Sequence, residues 1–466
     1  MPEFLFESAC DLSNHPLLKE SSEIKRNYLK SLKFLLYSIG LSQAGKEQLR
    51  QYSRLFLDCE TSQKGSTPFC TSPRHQEFPF LCLLYDAARF VDDLSGLEKL
   101  LSLFFSANSF IPPTAYLALT GKTPVDSFDV ITSGLAIQYQ LNQDFKKQKP
   151  RTFAITATVS SGKSTLINAL IGKKLTKTSN EVCTSAVCHI YAKPFEDRRI
   201  HLADSKGFNF DVSEKELSSI SRTEPFSVAA YFHLCSGQTE RICLIDTPGV
   251  DAVFHENHLE MTRECLLLSQ AEAILCVLDS CGLDTNATWM HLNWISKHLK
   301  KQTVIFIVNK TDKLDPEDDD LSASLNTLRQ GLTRLGWKAP VICPVSAYFS
   351  FLLKRKERNI PLSEDEQDDY ELLSRKFSHG QYDLTQYYGK KIKHQQTDSD
   401  FIRLSKACGI YGLEQTLLER WYERDLDTAQ SVHHRNKHHD KRRCPGFQQR
   451  YPSTDRKGHS SARLGR

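Results

Sequence analysis

The sequence predicts an α/β P-loop fold, a mostly parallel sheet with helices on both faces, preceded by an α-helical segment. Three observations predict it. From about residue 150, short apolar runs bounded by turn residues alternate with helical patterns: "TFAITATV", "AVCHIYA", "ERICLIDTPG", "AEAILCVLD", "QTVIFIVNKTD" and "APVICPVSA". The first of these runs through a turn of small residues into a helix, in "FAITATVSSGKSTLINALIG". Before residue 150, apolar residues recur at helical spacing instead.

Taken in order, residues 20–55 read as helix, with Ile24, Tyr28, Leu32, Leu35 and Ile39 at three- and four-residue steps. Residues 59–79, with Gly, Ser, Thr and Pro, read as a loop. Residues 80–105 return to an apolar helical pattern, including Phe104 and Phe105, and read as a helix–helix core rather than a lipid-inserting element. In 106–145, Pro112 and Pro113 break the chain and "SGLAIQYQLNQDF" restarts a helix. Residues 353–400, with "SEDEQDDYE" and "KKIKHQQ", read as a charged insertion or a solvated helical excursion. "ACGIYGLEQTLLERWYERDL" is an amphipathic helix. The domains expected are therefore a helical segment at 1–149, a nucleotide-binding domain at 150–352 plus 401–428, the insertion at 353–400, and a tail at 431–466.

The chain has 466 residues, 40% hydrophobic and 25% charged, an ordinary composition for a soluble protein with two or three structural units. No apolar run reaches the roughly 18 residues that span a bilayer; the best candidate, "AEAILCVLDSCGL", is broken by Asp279. Glu3 and Glu7 stand where a secretory signal would be basic then apolar. The 14 cysteines form no C-x-x-C pair, which suits reduced thiols and a cytoplasmic location. The net charge of +4 belongs to the tail: residues 431–466 carry ten Lys or Arg against two Asp or Glu. The body is slightly acidic, which argues against a domain built for nucleic acid.

The chemistry rests on five motifs in order. "ATVSSGKST" follows the phosphate-loop pattern G-x-x-x-x-G-K-[ST] except that Ala157 replaces the first glycine. Its Ser160, Ser161, Gly162, Lys163, Ser164 and Thr165 are candidate contacts to phosphate. Lys163 would neutralise the β/γ charge and Ser164 would reach Mg²⁺. Ala157 is tolerable where its φ is negative. "CLIDTPG" puts Asp246 at a strand end for the Mg²⁺ shell and Gly249 where its N–H meets the γ-phosphate. "VIFIVNKTD" supplies Asn309, Lys310 and Asp312; a carboxylate at Asp312 accepts from two N–H donors on the edge of guanine, a pair that adenine lacks. "CPVSA" places Ser346 and Ala347 where a backbone N–H meets guanine O6. "NEVCTSAVCHI" offers Thr184 as the switch threonine that closes on Mg²⁺ and the γ-phosphate. Together they predict a GTP/GDP- and Mg²⁺-binding domain, with Lys163 and Thr184 as catalytic candidates and Ser164, Thr184 and Asp246 around the metal.

Order and wording resemble the dynamin superfamily, especially the bacterial dynamin-like proteins. "SSGKST" with "LINALIG" is similar to that family's first motif and "CTSAVCHI" to its switch segment. Thr184 and Asp246 lie 62 residues apart, and "CGIYGLEQTLLE" is similar to the helix that closes such G domains. The chain as a whole resembles the labile-enterotoxin-output type, which implies a part in toxin or vesicle release. The resemblance implies GTP hydrolysis, membrane remodelling, G-domain pairing with a second copy or a partner dynamin, and peripheral membrane contact. It also implies that Ser160 helps hold a charge-compensating cation, which makes it a further catalytic candidate, and that the helical segment joins later helices in a stalk or neck.

The sequence departs from the eukaryotic dynamins at Val159, where they carry a glutamine that orients water, so hydrolysis is expected to be slow or to need another residue or dimerisation to position the water. No arginine finger is evident, and the C-terminal stalk half and membrane tip have no counterpart. The tail "SVHHRNKHHDKRRCPGFQQRYPSTDRKGHSSARLGR" reads either as a disordered extension, its abrupt onset suggesting a change of reading frame, or as a basic, His-rich arm for acidic lipid or nucleic acid. Two other functions fit the same residues: a GTP-dependent assembly or RNA-associated factor without membrane work, and a GTP-binding scaffold with little turnover.

Overall fold

The structure is a computed structural model. It describes residues 6–13, 15–58, 73–91, 94–107, 133–158, 160–176, 186–219, 224–237, 239–247, 256–299, 302–315, 319–389, 392 and 398–418. The chain divides into two compact units, residues 1–414 and 415–466; of the second, residues 415–418 are described and are helical.

Among the described residues the sheet has strands β1 Arg151–Ala157, β2 Cys188–Ala192, β3 His201–Asp204, β4 Gly207–Asn209, β5 Phe226–Ala230, β6 Ile242–Asp246, β7 Ala273–Asp279, β8 Thr303–Asn309 and β9 Val341–Pro344. Their spatial order is β4-β3-β5-β2-β6-β1-β7-β8-β9. From β6 through β9 every pairing is parallel. β2 runs against β6, and β3 runs against both β4 and β5. The result is a mixed, mostly parallel sheet flanked by helices, a G-domain fold with helical segments added.

Burial follows topology. β7, between two parallel neighbours, is the near-continuous apolar run "AILCVLD" and is buried along all but its last residue. β2, antiparallel to β6, alternates buried and half-buried positions. On one face Ala154, Cys276, Phe306 and Val308 pack with Leu266, Leu292, Ile295 and Leu328 from three helices. The six strands read from the sequence are present. β3, β4 and β5, of four, three and five residues, were not read.

The helical part differs from the sequence reading at its joints. Residues 20–55 form two helices, Ser22–Ser38 and Gln43–Asp58, because Gly40 takes φ +90° and its N–H caps Tyr37. A helix already starts at Pro73, within the expected loop, and a turn at Arg89 and Phe90 separates Pro73–Ala88 from Leu94–Ala107. Helix Ser133–Lys147 completes this group. Leu32, Leu36, Leu49, Phe56, Leu84 and Leu100 form its core. Buried inside it, Asp86 accepts hydrogen bonds from Tyr28 (2.7 Å) and Tyr52 (2.6 Å) and meets His15 Nε2 at 3.1 Å. Burial alone would raise the Asp86 carboxyl, but His15, Arg89 and the Tyr52 hydrogen bond together hold it below its usual range.

Buried polar contacts join the chain's first residues to the sheet and to helix Ser133–Lys147. Glu7 pairs with Arg241 at 2.6 Å, and Ala9 N–H donates to Asn142 at 2.9 Å. His201 Nδ1 is 2.7 Å from the Phe6 carbonyl, so Nδ1 carries the proton and Nε2 accepts from Lys193 Nζ at 3.1 Å. Lys193 also donates to both oxygens of Asp197 at 2.5 Å. Residues 353–400 include helix Glu364–Ser378, which rests on helix Ala347–Glu357 by stacking Phe377 on Phe349 at 5.2 Å.

Burial, with the nearby Lys193 charge, holds His201 neutral down to about pH 3, while the unfolded chain protonates it near 6.5. Its contribution to stability is thus complete above about pH 6.5 and falls as pH drops toward 3, by roughly 1.4 kcal/mol per pH unit. Urea midpoints between pH 7 and 4.5 should fall, and His201→Gln, which keeps one donor and one acceptor, should flatten the decline; an unchanged slope would contradict it.

Candidate nucleotide-binding site

The site forms at the carboxyl ends of the parallel strands. Ala157 closes β1 with extended backbone, paired to Val277, and is buried. Its methyl therefore sits in ordinary strand geometry. The unusual backbone lies further on, at Ser160 with φ +58° and Gly162 with φ +86°. Ser161 folds back on the loop, its hydroxyl donating to the Thr158 carbonyl at 2.7 Å. Gly162 caps helix Lys163–Ile171, and a Cβ there would run into the Asn309 carboxamide. Glycine is thus required at 162 and not at 157. Ser164 and Thr165 lie in the first turn of that helix, whose N–H groups make an anion site.

Lys163 forms a buried ion pair with Asp246 at the end of β6. The hydroxyl of Thr247 donates to the Ile155 carbonyl at 2.8 Å, fixing where this second motif begins. Asp246 Oδ2 is buried and has no hydrogen-bond partner among the described residues. A buried carboxylate oxygen left open in this way is a hard donor of the kind that suits Mg²⁺.

Asn309, buried at the end of β8, joins the other motifs. Its Nδ2 donates to the Ser161 carbonyl at 2.9 Å, and its Oδ1 accepts from Ala347 N–H at 3.0 Å. Lys310 takes φ +65° and pairs with Asp279 at 2.6 Å. The Ser346 hydroxyl donates to Asp312 at 2.5 Å. Ser346 N–H in turn donates to the Cys408 carbonyl at 3.0 Å, tying "CGIYGLE" to β9. Next along, Gly409 with φ +86° lies so close to the Pro344 carbonyl that a Cβ would collide with it.

Ala157, Ser160 to Thr165, Asp246, Asn309, Lys310, Asp312, Ser346 and Ala347 are therefore assembled in one place. Val159, Thr184 and Gly249 lie outside the described residues. The sequence reading missed Asp279 and Ser280. Asp279 ends β7 as Asp246 ends β6, and that shared position was the signal; Ser280 donates to the Lys310 carbonyl at 3.0 Å.

A phosphate loop between a central parallel strand and a helix, bridged to an Asn-Lys-x-Asp turn, defines a G domain. Residues 153–311 match the family described as the dynamin family. A bacterial dynamin-like protein of Nostoc punctiforme is 26% identical over 192 residues, 36% of this chain and 27% of that protein. An uncharacterised protein of a Caldicellulosiruptor species is 25% identical over 171 residues, 36% of this chain and 41% of its own. The chain thus aligns with well under half the length of these relatives. An oligomerised bacterial dynamin pair, described as a mechanism for sensing and tethering membranes, is similar at 13% identity and a TM-score of 0.35, covering 93% of this chain and 64% of that one. Residues 153–311 are thus similar to the dynamin family, and the relative from Nostoc punctiforme carries the same likeness. Among the described residues, no helix is long and apolar enough to cross a membrane.

The loop geometry predicts opposite sensitivities at its two small residues. Gly162→Ala meets both a left-handed backbone and the Asn309 side chain and should cost about 2–4 kcal/mol. Ala157→Gly should cost about 1 kcal/mol. Urea denaturation of both variants checks the order, and equal costs would refute it.

Proposed function

We propose that the protein binds and hydrolyses GTP, and that the nucleotide state sets pairing between G domains and contact with a membrane surface. The observation that carries this reading is the Asn309 carboxamide, which bridges the phosphate loop and the Ser346–Ala347 turn beside Asp312. The carboxylate that would read the base and the loop that would cradle phosphate are thereby linked through one side chain.

In this reading Asp312 accepts from the two N–H donors of guanine, and Lys310, held by Asp279, lies along the base. The N–H groups opening helix Lys163–Ile171 receive the β- and γ-phosphates. Lys163 exchanges its Asp246 partner for phosphate oxygens. That exchange releases the carboxylate that begins the "DTPG" segment, and so couples the nucleotide to the loop after β6. Ser164, Thr184 and Asp246 would hold Mg²⁺, which supplies positive charge against the phosphates when bound. Water attacks the γ-phosphorus and GDP leaves. Val159 has no polar group to orient that water, so turnover of the lone chain is slow. We infer a role of the labile-enterotoxin-output type, in vesicle or toxin release, from the resemblance alone.

Fluorescent GDP and ADP titrations test the base choice: GDP should bind at least ~100-fold tighter, as expected for lost hydrogen bonds to a charged acceptor. Equal affinities would sink the guanine reading. Lys163→Ala should weaken GTP binding at least ~100-fold, about 3 kcal/mol, and abolish phosphate release above background. Co-sedimentation with anionic vesicles in the GTP- and GDP-bound states tests the membrane role, and no difference between the states would count against it.

A further inference from the structure

Helix Glu364–Ser378 belongs to the charged stretch that the sequence reading set apart from the nucleotide-binding domain. In its last turn, Lys376 Nζ donates to the carbonyls of Asp312 and Leu314, both at 2.7 Å. These carbonyls flank the end of the single-turn helix Thr311–Lys313 that carries Asp312. The ammonium also stands over the Tyr382 ring at 4.5 Å and faces the charges of Asp315 and Asp319.

The helix is well placed to impose this contact. Ser363 and Glu366 start it with a reciprocal capping box. It is docked on helix Ala347–Glu357 by the parallel stack of Phe377 on Phe349 and by the hydrogen bond from Tyr348 OH to Asp369 at 2.6 Å. That second helix begins at Ser346, whose hydroxyl holds the Asp312 carboxylate. Asp312 is therefore held twice by one helical pair: at its side chain by Ser346, and at its backbone by Lys376.

We propose that Lys376 is a positioning residue for base recognition, fixing the Asp312 loop so that the carboxylate meets both donors on the guanine edge. The proposal rests on the guanine reading above. A lone ammonium with three donors satisfies two carbonyls and an aromatic face at once, and charge-assisted bonds of this kind are stronger than neutral ones. With an uncharged side chain at 376, the loop would lose its backbone anchor while Ser346 still held one carboxylate oxygen. The carboxylate would then keep one base contact and lose the alignment needed for the second.

The test compares GDP with inosine diphosphate, which lacks the 2-amino group, on the full chain. Wild type should prefer GDP by roughly 10- to 100-fold, the worth of one hydrogen bond to a charged acceptor. Lys376→Met should weaken GDP about 10-fold and inosine diphosphate far less, so that the ratio collapses toward one. Lys376→Arg, which keeps charge and donors, should retain most of the preference. If the Met variant does not fold, Lys376→Gln carries the same expectation. A purely structural lysine would weaken both nucleotides equally. A wild type that discriminates, with a Met or Gln variant that keeps its full ratio, overturns this proposal alone; a wild type that binds GDP no better than ADP overturns the guanine reading and this proposal with it.

Discussion

Asn309 sits in the interior at the end of β8, where a carboxamide must satisfy a donor and an acceptor or bear the cost of burial. It does so by donating to the phosphate loop and accepting from the helix that follows β9. The two ends of the candidate site are thus set by one side chain of fixed length. Gly162 leaves the space that the carboxamide occupies. Lys310, next in sequence, adopts a left-handed backbone that turns the chain so that Asp312 comes under Ser346. Shortening Asn309 to alanine would strand a backbone carbonyl in the loop and a backbone N–H at Ala347, so the loss would reach both the phosphate and the base side.

A second buried network holds the chain's beginning to the sheet. Lys193, Asp197 and His201 are almost wholly buried, and each is satisfied by the others or by backbone atoms of residues 6–10. Asp86 repeats the device inside the helical group, with two phenols and a histidine around one carboxylate. Such networks add little net stability over an apolar core, yet they penalise every packing that leaves one member alone. They therefore fix which surfaces meet. The entry of the chain is held by hydrogen-bond geometry, whereas the helical core behind it combines Leu and Phe packing, which has no directional demand, with the directional cluster around Asp86.

The nucleotide motifs and the parallel strands were legible because each is local. A strand buried on both faces must be a continuous apolar run, and β7 and β8 are. A phosphate loop must combine small residues with Lys163 in a few adjacent positions. The antiparallel edge was not legible: β3 and β4 are short, and β4 pairs Gly207 and Asn209 on a half-exposed margin where periodicity carries little information. The break at Gly40 was hidden by apolar residues that keep helical spacing on both sides of it. Lys376 was hidden for another reason. Its partners are backbone carbonyls more than 60 positions away, and a backbone carbonyl leaves no mark in a sequence. For the same reason the dense charge of 364–378 suggested a solvated excursion. Its buried apolar members, Leu373 and Phe377, are four apart; Phe377 stacks on the neighbouring helix, and Asp369 accepts a hydrogen bond from Tyr348 on that helix.

Ala157 can now be placed in the same physical account. A phosphate loop has to turn its N–H groups inward, and somewhere this demands left-handed backbone. Here that demand falls on Ser160 and Gly162, not on the residue that ends β1. Ser160 carries a strain of order 1–3 kcal/mol as a non-glycine in that region, and the surrounding bonds hold it there: Ser161 to Thr158 within the loop, and Asn309 to the Ser161 carbonyl from outside. A glycine at 157 would add freedom to the unfolded chain without relieving any of this. The loop is therefore pinned at both ends, by β1 on one side and by the Lys163–Asp246 pair on the other. An anion that displaces Asp246 from Lys163 meets a cradle already formed, so little of its binding energy goes to ordering the loop, and the conformational response falls on the Asp246 side of the pair.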